Sequence, residues 1–272
     1  MIKNKLYMLT NEEAKKIIKD TVKKSIIDFA QRSLNKKAKF QILDLIIPKE
    51  RKIRSIVGGL ETSLGTTLWE PLAKALALRN GFEVINDNLQ SPVNMPANLS
   101  NTLQNILDER KRNSGVYDAV SSHDEIKRVC QSFINRPIDS FESAPKGFGV
   151  DIWLKKGGVN YFFDTKTVQP NIGNYSKFVD QILNWYAFFY SRFPDQMAES
   201  RIVFPYNPYN EVFWCKTMGK GKPLEADNEG WVENQFWNFC TGLEDTYGLI
   251  VESFTELRQS KELEVDLNKI LN

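Results

Sequence analysis

Asp151, Asp164 and Lys166 are the residues whose types and spacing could do chemistry, and they share one stretch, KGFGVDIWLKKGGVNYFFDTK. Runs rich in Val, Ile, Trp, Tyr and Phe flank Gly157-Gly158, a dipeptide suited to the tight two-residue turn of a β-hairpin. With those glycines as the loop, Lys156 faces Val159, and counting outward sets Asp151 opposite Asp164. Directly paired side chains share a face, with Cβ atoms roughly 5 Å apart. The strand period of two adds Lys166 to that face and turns Val150, Ile152, Leu154, Tyr161 and Phe163 toward a core. Two carboxylates so placed suit Mg²⁺, which takes one or two protein carboxylates and fills its shell with water and phosphate oxygens. A lysine beside them can orient or deprotonate an attacking water, so the implied reaction is metal-assisted phosphodiester hydrolysis. An Asp-x-Lys triplet alone more often marks a screened surface ion pair; the hairpin register is what raises these three above that reading.

The neighbouring elements must hold the hairpin. Thr10 and Glu13 form a capping box, and Ala14, Ile17, Ile18, Val22, Ile26, Ile27, Phe29 and Ala30 follow at helical spacing with lysines on the outer face. Gly58-Gly59 is expected to break the chain. A helix then starts from Ser63 or Thr66, or properly near Glu70 because of Pro71, and Asn80-Gly81 ends it before a strand at Phe82 to Ile85. A carboxylate on this helix could complete the metal shell. Glu70 is taken as the third ligand, whereas Glu61 reads better as a charge favoured at a helix start. Residues 87–145 look like a basic helical insertion, with helices around Asn101 to Arg112 and from His123 to Ile134, the latter capped by Ser121 or Ser122. Beyond the hairpin come a helix from Lys177 to Phe193, a strand from Arg201 to Phe204, and a helical last third over Trp231 to Cys240, Tyr247 to Leu257 and an acidic tail. Tryptophans such as Trp231 and Trp237 read as core or interface filling.

Composition narrows the chemistry. A chain of 272 residues with 42% hydrophobic content is read as one domain with insertions: a basic helical segment over 1–47, a core over 60–86 and 146–205, the insertion, and carboxy-terminal loop and helices over 206–272. No apolar run is long enough for a membrane span, and the first residues lack the apolar stretch of a signal peptide, so a cytoplasmic protein is expected. Cys130, Cys215 and Cys240 are widely spaced and read as buried reduced thiols rather than a zinc site. His123 is the single histidine, which excludes two-histidine metal sites and leaves catalysis to carboxylates and lysine. A solvent-facing or DNA-facing position is expected for it. The net charge of +2 hides an uneven distribution: residues 15–54 are strongly basic and the chain beyond Glu225 is acidic. That pattern suggests a polyanion on one side. Arg51, Lys52 and Arg54 are candidate DNA contacts, with Asn171, Asn174, Lys177 and Gln181 just beyond the hairpin, since Asn and Gln can pair with adenine and Lys with guanine.

The order helix, strand, insertion, strand, strand, helix, strand, with an acid and then an acid-x-lysine on the hairpin, resembles the PD-(D/E)xK nuclease core. GVD at Gly149 to Asp151 and DTK at Asp164 to Lys166 match its motif, with Val150 in place of the proline. More narrowly, RKIRSIVGGLETSLGTTLWEPLAKALA, GVDIWLKKGGVNYFFDTKTVQPN and FPYNPYN are similar to the TdeIII family of type II restriction endonucleases, over roughly residues 47–240. The resemblance implies an α/β (α+β) fold, a restriction-endonuclease-like core with a mixed central sheet flanked by helices. It implies Asp151 and Asp164 as metal ligands, to which the helix reading adds Glu70, Lys166 as catalytic lysine, Mg²⁺ as cofactor and double-stranded DNA as substrate. Cutting both strands of a short palindrome, of GGNCC type in that family, implies a homodimer, with a cognate DNA methyltransferase protecting host sites without contacting this chain. A structure-specific or repair nuclease on the same core, and a non-catalytic DNA-binding module, are the alternative readings.

Overall fold

The computed structural model describes residues 9–35, 42–112, 115–167, 172–209, 211–214 and 224–271, of which the side chains of 35, 43–44, 172–174 and 271 are not described. In chain order the regular elements are α1 (Asn11–Asn35), α2 (Pro48–Thr62), α3 (Glu70–Arg79), β1 (Glu83–Ile85), β2 (Gln90–Pro92), α4 (Ala97–Arg112), α5 (Ala119–Gln131) and β3 (Phe141–Ser143). They continue with β4 (Ile152–Lys156), β5 (Val159–Thr165), α6 (Ile172–Arg192), β6 (Met197–Phe204), β7 (Gly230–Val232), α7 (Asn234–Thr241), α8 (Thr246–Ser260) and α9 (Glu262–Leu271). Two compact units result, one from Met1–Gly81 with Trp237–Asn272, the other Phe82–Phe236. No helix among the described residues is long and apolar enough to cross a membrane.

The first unit is helical. The capping box at its start is reciprocal: Thr10 N donates to Glu13 Oε2 at 3.0 Å and Glu13 N to Thr10 Oγ1 at 3.3 Å. Ala14, Ile18, Val22 and Ala30 are buried along one face of α1. Three of its lysines do not wait for a polyanion, as their sequence suggested, while Lys16 and Lys24 are exposed. Lys15 pairs with Glu252 and Glu256, Lys19 with Glu256, and Lys23 with Glu262 and Asp266, at 2.5 to 3.3 Å. Three lysines of the basic start are therefore matched to carboxylates of α8 and α9, which raise the pKa values of Lys15 and Lys23 through hydrogen bonds.

Gly58-Gly59 also departs from expectation, since α2 runs through both. Glycine costs a helix interior only about 1 kcal/mol, and here a side chain at 59 would be unwelcome: a Cβ on Gly59 would lie 3.2 Å from Phe29 Cζ on α1. A π-helical turn follows at Gly65–Trp69, where Glu70 N reaches back five residues to Gly65 O. Pro71 explains the shift, having no N–H to give the carbonyl four residues earlier. Helix α3 then begins at Glu70, as the proline implied.

The second unit is built on a five-stranded mixed sheet in the order β1-β4-β5-β6-β7. β1, β4 and β5 run antiparallel, while β5, β6 and β7 are parallel. Gly157 and Gly158 have φ of 60° and 84°, the paired positive values of a tight hairpin turn. The β4–β5 register pairs Lys156 with Val159 and Ile152 with Phe163, as counted from that turn. α6 is the crossover from β5 to β6. Its Val179, Ile182, Leu183, Trp185, Phe189 and Tyr190 are all essentially inaccessible, because α4 and α5 cover the side of the helix that the sheet does not. One expectation fails here. The sheet face carrying the acids is not a polar face: Phe162 and Ile202 on it are buried against α6, so both faces of β5 are covered.

Shorter elements escaped the sequence. β2 and β3 form a separate two-stranded sheet, and β7 precedes α7 where helix alone was expected. α5 is capped by Asp118, which accepts from Ser121 N at 2.6 Å, so neither Ser121 nor Ser122 is the cap. Arg110 on α4 makes a buried two-pronged ion pair with Glu229, at 2.6 and 2.5 Å. Glu229 also accepts from Glu225 N, and Glu225 from Ala119 N, tying the approach to β7 to the start of α5. Cys130 and Cys240 are buried free thiols, while Cys215 lies outside the described residues.

Candidate active site

The carboxylate pair lies where the β4–β5 ladder ends. Asp151 is the residue before β4, and its backbone N–H donates to Phe163 O at 3.1 Å. Its side chain crosses to the other strand, where Oδ2 accepts from Thr165 N at 2.9 Å and Thr165 Oγ1 at 3.3 Å. The ladder's last free N–H therefore fixes the carboxylate. Asp164, one residue earlier on β5, is 4% exposed. Lys166 is held through its backbone, N donating to Val203 O on β6 at 2.9 Å, and its ammonium pairs with Asp164 Oδ2. The structure thus brings together Asp151, Asp164 and Lys166.

Electrostatically the site lacks positive charge. Burial pushes the pKa of Asp164 well above the carboxylate range, and its hydrogen bond and repulsion with Asp151 push the same way, more than Lys166 offsets. Two carboxyl groups forced together at the edge of a core are stabilised as anions by a cation between them. Among the described residues no group of three or more His, Cys, Asp or Glu side chains is placed to hold a metal ion. Two carboxylates are nonetheless a donor set that Mg²⁺ accepts when water and phosphate oxygens complete its shell. The pair fits such an ion.

One face of α6 backs the site. Phe178 places its ring 5.4 Å below the Lys166 ammonium, a cation–π contact. One turn on, Gln181 Nε2 donates to Gly149 O at 3.4 Å, and a further turn on Trp185 Nε1 donates to Phe148 O at 2.8 Å. These last two bonds pin the segment that delivers Asp151. Sequence reading placed Gln181 among the DNA contacts, but its side chain is buried against Gly149 and faces inward. In the sequence Phe178 and Trp185 read only as apolar residues of the helix after the hairpin, and nothing marks Thr165 as a site residue. The spacing 178, 181, 185 is a helical stripe beside the motif, which was the available signal.

The other candidates are placed as follows. Glu70 opens α3 in the first unit, its side chain 13% exposed and 3.6 Å from Lys74. His123 is half-buried rather than solvent-facing. It stacks on Tyr186 with ring centroids 4.0 Å apart, and its Nε2 lies 2.7 Å from Tyr190 Oη. Burial lowers its pKa to about 4. Arg51, Lys52 and Arg54 lie on α2, Lys52 and Arg54 exposed and Arg51 half-buried. Lys177 is exposed on α6, Asn171 lies outside the described residues, and so does the side chain of Asn174.

Comparison with known proteins adds one finding. No curated protein and no solved structure matches the chain. The family model described as "Type II restriction endonuclease, HinfI" matches residues 10–258. That span includes α1, the hairpin and α6 and stops before α9, and it agrees with a mixed sheet flanked by helices whose central strand, β5, ends in an acid-x-lysine motif. It names HinfI where the sequence strings suggested TdeIII. The chain belongs to the HinfI family of type II restriction endonucleases.

Proposed function

We propose that the protein is a Mg²⁺-dependent endodeoxyribonuclease that cuts both strands of a short palindromic site as a homodimer, with the Asp151, Asp164 and Lys166 cluster as its catalytic centre. The observation that carries this reading is the buried Asp164 carboxylate, pressed against Asp151 and bridged to Lys166. A divalent cation held by the two aspartates would neutralise the scissile phosphate and lower the pKa of the attacking water. Asp151 keeps its orientation because Thr165 N fixes one of its oxygens, leaving the other for the cation. Lys166 holds the water in line and offsets charge developing on the phosphate, with Phe178 restricting where its ammonium can go. Lys177, on the exposed side of α6, and Arg51 and Lys52 on α2 are proposed contacts to the DNA backbone. A GGNCC-type site is the specificity that the resemblance to the TdeIII strings suggests.

The test is digestion of a long, fully sequenced, unmethylated DNA with Mg²⁺ or with EDTA, followed by sequencing of every end. Ends sharing one short palindrome and disappearing in EDTA are expected. Scattered ends would point to a structure-specific nuclease, and shifted DNA without any ends would leave a binding module.

A further inference from the structure

Six large apolar side chains stand exposed within sixteen residues of the first unit. Ile42 and Leu45 lie on a 3-10 turn, Ile46 and Ile47 lead into α2, and Ile53 and Val57 follow one turn apart along it. They are 38% to 72% exposed, and α2 buries none of its residues. An amphipathic helix with its apolar stripe in solvent is unstable unless something covers it. Together the six present on the order of 600 Å² of apolar surface, near the roughly 800 Å² per partner of a standard interface and at the top of what monomers expose.

We infer that this surface is where a second copy of the chain docks, through an isologous contact about a twofold axis crossing α2 at the level of Lys52. The inference rests on the two-strand cleavage proposed above, which requires two copies of the site. The sequence of α2 is complementary to itself when two copies run antiparallel. Glu50 and Arg54 flank the apolar stripe one turn apart. Turning one copy end over end brings Glu50 of each opposite Arg54 of the other, and Ile47 opposite Val57. A C2 interface needs that property, each residue meeting a partner twice. An unrelated partner would not require the charges to be paired in this way.

Sedimentation velocity of the full chain over a micromolar range tests the assignment, with DNA cleavage read in parallel. The wild type is expected to dimerise, and Ile53→Glu with Val57→Glu to weaken self-association by at least roughly 100-fold. Ile46→Glu, outside the helix, should do the same with unchanged circular dichroism, separating loss of docking from loss of folding. Glu50→Arg and Arg54→Glu should each weaken the dimer and together restore it. A wild type that stays monomeric overturns the assignment, as do variants that dimerise as tightly as the wild type. Cutting by a monomeric wild type would remove the interface and leave the nuclease reading; a dimer that the variants break, with no cutting under any metal condition, would leave the interface and remove the nuclease.

Discussion

At the scale of single residues, the chemistry depends on a small set of contacts that hold charges where water would otherwise disperse them. Asp164→Ala or Lys166→Ala should abolish cleavage while leaving DNA binding by gel shift; retained cutting by either variant would sink the mechanism. Gln181 and Trp185 donate to the backbone of Gly149 and Phe148, the segment that carries Asp151, so they act on the site through it. Gln181→Met or Trp185→Phe should raise the Mg²⁺ concentration needed for half-maximal cleavage by roughly 10-fold, in keeping with groups that orient metal ligands. A loss of rate that excess Mg²⁺ does not rescue would contradict that role. His123 has a different consequence. Its folded pKa of about 4 lies below the ordinary value of 6.5, so the fold favours the neutral ring. That contribution is complete above about pH 6.5, falls as pH drops toward 4, and is on the order of 2 kcal/mol. His123→Phe should flatten this part of the stability profile in urea melts between pH 7 and 4 relative to the wild type; parallel profiles would show that the histidine is not the cause. Asp151, Asp164 and Lys166 were legible in the sequence because a two-residue turn and a period of two are local rules. The roles of Thr165, Phe178 and Trp185 were not, since each depends on which strand or helix lies across from it.

At the scale of elements, α2 and α6 show how side-chain size sets packing. Gly58 and Gly59 look alike in the sequence and differ in place. A Cβ on Gly58 would meet nothing within 4 Å, whereas one on Gly59 would press on the Phe29 ring. Gly58→Ala should therefore stabilise the protein by up to about 1 kcal/mol through helix propensity. Gly59→Val should destabilise it by about 1–3 kcal/mol through overpacking. Thermal melts showing the two changes to be equivalent would mean that the α1–α2 approach does not depend on Gly59. The expected chain break at Gly58-Gly59 illustrates the limit of propensity arguments: two glycines weaken an isolated helix, but a close-packed neighbour can require their lack of side chain. Pro71 is the converse case, a local covalent constraint that sequence reading located correctly because no tertiary contact can give proline an N–H.

At the scale of the whole molecule, charge patterning proved the least transferable signal. Lys15, Lys19 and Lys23 read as a nucleic-acid face, yet each is matched to a carboxylate more than two hundred residues away. Replacing all three with Gln should leave the slope of log affinity against log salt for DNA binding unchanged; a drop of about 1 per lysine would restore them as phosphate contacts. What the sequence by itself determined is what short-range geometry dictates: the hairpin and its register, the capping box of α1, the start of α3, and the strings that carry the resemblance to restriction endonucleases. The tertiary structure alone decided that Asp164 is buried, that α6 backs the site through Phe178, Gln181 and Trp185, that His123 stacks on Tyr186, and that the basic and acidic ends of the chain pair. Each of these depends on desolvation or on a partner distant in the chain, and both arise only when separate elements pack and exclude water.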